Sequence, residues 1–409
     1  MASAFVLLSV VDHHFFQREH VFLALTLPYL CLASARLARV DVPLPLVVLV
    51  GAVGGVGFWL KPFYLPIWLL VEGVVAVRLG VRRLARPESI AVVAAGILYG
   101  AAVALWAPAY LRVAGWGATL YRSYGARISL AEILFDPRAL AAYIVVLFAI
   151  LLRKRYPVGP LRTVLLVALV GYIGAVAAQG KSFTNHWYPA EGLLLLAGYQ
   201  TLAEVSDVRW AHRLRTLRVW LLWPAAFALI LLAAANAANT TSRWRAAYQA
   251  DPFYLTPMTD FLKADGGARS FFTIGATMRS SFPLALAADV EYVSRFHSLW
   301  LLAGLYDGAC PEPCRPFAYN EPERMGPAER YQFDALVTDL ISSQPDVLFV
   351  DLVPPNGLAG FDYVEYFSQS ARFEHELASY LFIATIGGRY RAYRRAGRTT
   401  PSGREKVAK

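Results

Sequence analysis

Along the first 238 residues hydrophobic positions do not alternate with polar ones; they come in long runs separated by short polar stretches. An α-helix that crosses the hydrocarbon core needs roughly 20 apolar residues, with about 17–25 tolerated. By that measure the runs predict spans near residues 21–38, 42–60, 62–79, 89–111, 138–152, 161–178, 188–205 and 218–236. Residues 2–11 are apolar for only half that length and stop at Asp12. They have no basic stretch before them and no small-residue cleavage site after, so they read as the end of a helix and not as a signal peptide. Beyond residue 238 the pattern changes. Segments 270–275 and 346–352 predict buried strands, 256–264 and 327–343 predict helices, and Tyr380 to Tyr393 predicts a final strand or hairpin through Gly387 and Gly388. The expected fold class is an α-helical polytopic membrane protein, with about eight complete spans plus a partial first helix and a small C-terminal α/β extracytoplasmic domain. The division falls at 1–238 and 239–409.

Composition agrees with the pattern. Of 409 residues, 57% are hydrophobic and 17% charged, against about 45–50% and about 25% in soluble domains. The net charge of +10 would point to nucleic acid in a soluble protein, but here the basic residues mark alternate loops between apolar runs. Arg36 and Arg39, then Arg78, Arg82, Arg83 and Arg86, then Arg153, Lys154, Arg155 and Arg162, then Arg209, Arg213, Arg215 and Arg218 form the richer set. The poorer set is Arg18, Lys61, Arg112, Arg122, Arg127 and Lys181. The positive-inside rule makes the richer loops cytoplasmic. The protein is therefore expected to be multi-pass, with the bilayer as its partner and no nucleic acid, and with its C-terminal domain outside the cytoplasm. Cys310 and Cys314, in Cys-Pro-Glu-Pro-Cys, are close enough in sequence to bridge in an oxidising compartment.

That orientation puts three polar segments on one face. They are Asp12 to His20, Leu60-Lys61-Pro62, and Gln179 to His186 with Lys181 between. Asp12 and Glu19 are candidate catalytic carboxylates, and Arg18, His20, Lys61, Lys181 and His186 are candidate phosphate-binding groups. Asp12 and His13 could serve as metal ligands, with a divalent cation, Mg or Mn, as the matching cofactor. Were 13–20 helical, His13, Gln17 and His20 would share a face. Such groups at a membrane surface suit a lipid-linked phosphate, and the chemistry that fits is glycosyl transfer with an acidic residue deprotonating the acceptor hydroxyl or positioning a metal. Each segment also has a plainer reading, an interfacial loop or a snorkelling cation. Tyr99, Trp106, Tyr110, Trp116, Tyr121 and Tyr124 enrich the 112–137 loop and the helix before it as an aromatic belt, and 128–137 suits a short helix on the membrane surface.

The string Phe16-Gln17-Arg18-Glu19-His20 before an apolar helix with Leu27-Pro28-Tyr29, then Leu60-Lys61-Pro62, then Gln179-Gly180-Lys181-Ser182-Phe183 with His186 and Pro189, resembles bacterial membrane proteins related to the GT-C glycosyltransferases. That superfamily includes the protein mannosyltransferases and the aminoarabinose transferases of lipid A. The resemblance extends to Phe282-Pro283-Leu284, Ser294-Arg295-Phe296 and Leu299 to Leu302. It implies transfer of a sugar from a polyprenyl-phosphate-linked donor to a glycan or lipid acceptor on the outer face. It also implies an acidic residue in a first outer loop, which this chain is expected to lack; Asp12 and Glu19 then stand for a later acidic position. The alternatives are a transporter or flippase for a lipid-linked glycan, and a non-catalytic assembly subunit. Against transport stand the few charges within spans, chiefly Glu72 and Glu191, and no visible internal repeat.

Overall fold

A computed structural model of the chain describes residues 2–10, 15–121, 128–152, 159–210, 242, 254–264, 268–306, 317–355 and 358–397. The chain divides into two compact units, one of residues 1–111 with 127–246 and one of residues 112–126 with 247–409.

The first unit is helical. After a short α1 (Ala2–Phe5) and a π-helical turn (Val6–Val10) come α2 (Arg18–Leu37), α3 (Leu44–Trp59), α4 (Leu65–Leu79) behind a 3-10 turn at Pro62–Tyr64, and α5 (Pro87–Trp106). Next are α6 (Pro108–Leu120), which enters the second unit at Arg112, then α7 (Leu130–Leu134), α8 (Pro137–Leu152), α9 (Pro160–Gln179) and α10 (Thr184–Trp210). Four helices among the described residues are long and apolar enough to cross a membrane: Arg18–Leu37, Pro62–Leu79, Pro87–Trp106 and Pro160–Gln179. Leu44–Trp59 and Pro137–Leu151 are apolar but shorter. The 188–205 run lies within α10, and the 218–236 run lies outside the described residues.

One expectation about local structure is corrected: the 112–137 stretch does not begin as a loop, because α6 runs on to Leu120. The short helix expected within 128–137 is α7, whose start carries a capping box in which Ser129 and Glu132 bond each other's backbone N–H. Helix α2 starts only at Arg18, and Phe16 before it has φ 60°, so His20 does not share a helical face with Gln17.

Between lipid-facing helices apolar burial supplies no net drive, so close approach at small residues decides packing. Helix α3 carries Gly51 and Gly55 four residues apart on the face toward α5. A Cβ at Gly51 would stand 2.6 Å from the Glu88 carbonyl oxygen, and one at Gly55 would stand 2.9 Å from the Ala95 methyl. Gly55→Leu is therefore expected to push α3 off α5 and lower stability by about 1–3 kcal/mol, read as a depressed unfolding midpoint in detergent. A midpoint within error of the wild type would show that the two helices do not meet through this stripe.

The second unit is a five-stranded sheet in the order β2-β1-β3-β5-β4, from β1 (Ser270–Ile274), β2 (Glu291–Tyr292), β3 (Val347–Asp351), β4 (Tyr380–Ile386) and β5 (Tyr390–Arg395). Strands β2, β1 and β3 are parallel; β5 is antiparallel to both β3 and β4. The β4–β5 hairpin turns at Gly387 and Gly388, both with positive φ. Strand β3 is buried at every position, as a central strand covered on both faces must be. Phe272, Ile274, Leu348 and Val350 face one core with α14 (Pro327–Ser343), while Phe271, Val347 and Phe349 face another with α11 (Leu255–Ala264) and α12 (Phe282–Ala288). The remaining helices are α13 (Leu301–Leu305), α15 (Tyr363–Phe367) and α16 (Ala371–Leu377).

Candidate functional site

Glu19, Lys61 and His186 come from three separate turns and meet inside the helical unit. Glu19 sits in the first turn of α2, where the exposed N–H groups favour a negative charge. Lys61 is held extended (φ −143°, ψ 139°) between the end of α3 and the 3-10 turn at Pro62. His186 lies in the first turn of α10, just after α9 ends at Gly180, whose left-handed φ of 62° lets the chain reverse at once.

The Lys61 ammonium is ion-paired with Glu19 Oε1. The His186 ring brings Nε2 to 3.8 Å from that same oxygen, while its Nδ1 lies 3.3 Å from the Lys181 carbonyl oxygen. Glu19, Lys61 and His186 are all buried, and so is Lys181, which meets the cluster through its backbone carbonyl; Glu19 and Lys181 are each 1% exposed. Aromatic rings pack beside it: the Lys61 ammonium lies 5.8 Å from the Tyr64 ring centroid, Phe22 packs on Tyr64 at 4.1 Å between centroids, and Tyr64 stacks on Tyr172 at 5.9 Å. A buried carboxylate beside a primary amine and an imidazole can accept a proton, hold a phosphate oxygen, or do both in turn.

The other predicted residues fall elsewhere. Arg18 is exposed, one residue before Glu19. His20 has both ring nitrogens engaged by the chain: Nδ1 accepts from the Phe16 N–H at 3.1 Å, and Nε2 donates to the Leu7 carbonyl at 3.1 Å. This arrangement anchors the 2–10 segment and leaves neither nitrogen for a phosphate. Asp12 and His13, the proposed metal pair, lie outside the described residues, as do Cys310 and Cys314. Among the described residues no group of three His, Cys, Asp or Glu side chains could hold a metal ion.

Two polar groupings were not singled out as sites from sequence. Arg138, at the start of α8, contacts Asp136 at 3.0 Å and Glu191 of α10 at 3.7 Å, and its guanidinium lies 5.1 Å from the Trp187 ring centroid. At the far end of α2, Glu72 accepts from Tyr29 (2.7 Å), Arg86 (2.6 and 2.7 Å) and Ser89 (2.9 Å), and Glu88 pairs with Arg36 at 2.9 Å. Only Glu72 and Glu191, charges inside apolar runs, gave any warning of these. In the sheet unit, burial pushes the Asp351 carboxyl above the usual carboxylate range, and two hydrogen bonds from Arg389 at 3.1 and 3.0 Å oppose that shift. Asp351 fastens the end of β3 to the hairpin turn.

No protein family, curated protein or solved structure matches the chain.

Proposed function

We propose that this chain is a membrane glycosyltransferase of GT-C type, moving a sugar from a polyprenyl-phosphate carrier to a glycan or lipid acceptor on the outer face of a bacterial inner membrane. The same proposal includes the eight-span topology with the sheet unit outside the cytoplasm. One observation carries it: the Glu19, Lys61 and His186 side chains, distant in sequence and each at a helix end, share one carboxylate oxygen. Solvated loop residues have no reason to converge, and burying such charges is expensive unless they are paired.

In this reading the donor phosphate takes Lys61 as its partner, with Arg18 at the exposed rim adding charge. Glu19, released from that ion pair, accepts the proton of the acceptor hydroxyl. The hydroxyl oxygen then forms a bond to the anomeric carbon as the bond from that carbon to the phosphate oxygen breaks, and the polyprenyl phosphate leaves with the electron pair and the negative charge. Any divalent cation would sit with residues other than this cluster.

Replacing Glu19 by Gln keeps the shape and removes the base. Transfer from a radiolabelled polyprenyl-phosphate sugar in membranes carrying the variant is expected to fall by about 10²–10⁴-fold per folded molecule, normalised because Gln leaves the buried Lys61 ammonium without its carboxylate. Transfer at the wild-type rate by Glu19→Gln would remove Glu19 from the reaction and leave the assembly-subunit reading in its place.

A further inference from the structure

The sheet unit holds a groove of about 530 Å³ that the transfer reading does not use. The volume lies within the about 300–1,000 Å³ of small-molecule sites. Its cations are Arg112 of α6, Arg295 and Arg330, set against one lining carboxylate, Asp334. Two of these cations are held in place. Arg295 is gripped by Asp339, which accepts from its Nε at 2.9 Å and its Nη2 at 2.6 Å and also from its backbone N–H at 3.0 Å. Arg330 donates to the Pro322 carbonyl from Nη2. With Asp339 counted against Arg295, the groove still carries one net positive charge.

Aromatic rings give the groove a second character. Trp116 of α6 and Tyr331 of α14 lie 5.2 Å apart between ring centroids at 47°, and Phe296 meets Tyr331 edge-on at 5.9 Å. Both Trp116 and Tyr331 line the groove and are only half-buried. A ring face flanked by guanidinium groups matches a sugar ring that carries carboxylates: the apolar C–H face of the sugar stacks on the ring while the acid takes a two-pronged hydrogen bond from arginine. A simple anion would need only the arginines, and a neutral glycan only the rings.

We propose that this groove binds an acidic carbohydrate, with Arg112 and Arg330 contacting its carboxylates and Trp116 stacking on a sugar ring. The site belongs to the sheet unit alone and stands whether or not the helical unit transfers sugar.

The test uses the full chain in phosphatidylcholine nanodiscs, with tetragalacturonate as the acidic probe and maltotetraose and inorganic phosphate as controls, followed by calorimetry and tryptophan fluorescence. Tetragalacturonate is expected to bind in a salt-sensitive way and to change the fluorescence, and Trp116→Phe is expected to abolish that change. The Arg112→Gln/Arg330→Gln double variant, altered only at exposed positions, is expected to bind at least about tenfold more weakly, the equivalent of losing one charge-assisted hydrogen bond. No binding of tetragalacturonate at millimolar concentration would overturn the proposal. So would maltotetraose or phosphate binding as tightly, added phosphatidylglycerol vesicles displacing the probe, or an unaffected double variant with a wild-type unfolding midpoint.

Discussion

Lys61→Ala is expected to destabilise the helical unit by about 3–5 kcal/mol, because it leaves the Glu19 carboxylate buried without its cation. Glu19 is 1% exposed and Lys61 8%, so water cannot replace the lost partner. His186 at 3.8 Å is too long for a hydrogen bond and offers only partial compensation. The complementary variant is the double replacement Glu19→Gln/Lys61→Met, which removes both charges and keeps the volume; it should recover most of the loss. Unfolding midpoints of Glu19→Gln, Lys61→Met and the double variant, measured in one detergent, give the coupling between the residues directly. A Lys61→Ala cost under about 1 kcal/mol would class the pair with solvated surface bridges and remove the argument that function holds it there. The double variant also separates stability from chemistry, since it should be well folded and still without transfer.

How much of this could be read beforehand depends on the range of the interaction. Apolar runs report helices because each residue in them bears the same relation to the bilayer. The helices over 18–37, 65–79, 87–106 and 160–179 therefore lie where the sequence predicts spans. The strands at 270–274 and 347–351 were legible for a similar reason, as short continuous apolar segments of a sheet covered on both faces. Helix α6 was not. Arg112, Gly115 and Gly117 break its apolar pattern, and Pro108 reads as a stop although it serves as a helix start. At the site, Lys61 and His186 were visible as polar residues at the ends of apolar runs, which is a local signal. That both would reach Glu19 could be guessed only through the orientation of the loops. His20 shows the opposite case: its attachment to the Leu7 carbonyl depends on a non-helical turn at Phe16 that no periodicity marks. Glu88 and Arg36 carry no site signal of their own, because a charge at a helix end normally snorkels into water, and Tyr29 lies in the middle of an apolar helix; only the packed arrangement shows that they meet around Glu72 and Arg86.

Glu72→Ala should be as damaging as Lys61→Ala, yet in a way that separates scaffold from site. Glu72 is 4% exposed and serves three partners on neighbouring elements: Tyr29 of α2, Arg86 at the entry to α5, and Ser89 within α5. The Trp68 indole N–H in turn donates to the Tyr29 hydroxyl at 2.9 Å. Two carboxylates, Glu72 and Glu88, balance two guanidinium groups, Arg36 and Arg86, so deletion of one leaves Arg86 as a buried cation whose remaining carboxylate contact, to Glu88, is 3.4 Å. The expected loss is about 3–5 kcal/mol, read as a lowered unfolding midpoint. Seventeen residues of α2 separate Glu19 from Arg36, which at about 1.5 Å per residue puts the two networks about 25 Å apart along the helix. Sites that far apart with no shared partner should add in their energies. A Glu72→Ala/Lys61→Ala double variant should therefore show the sum of the two losses. Transfer per folded molecule should survive Glu72→Ala below its unfolding midpoint and fail in Glu19→Gln. If Glu72→Ala abolished transfer while the protein remained folded, the Arg86 end of the bundle would have to be counted as part of the reaction, and the assignment of the chemistry to the Glu19 end alone would fall.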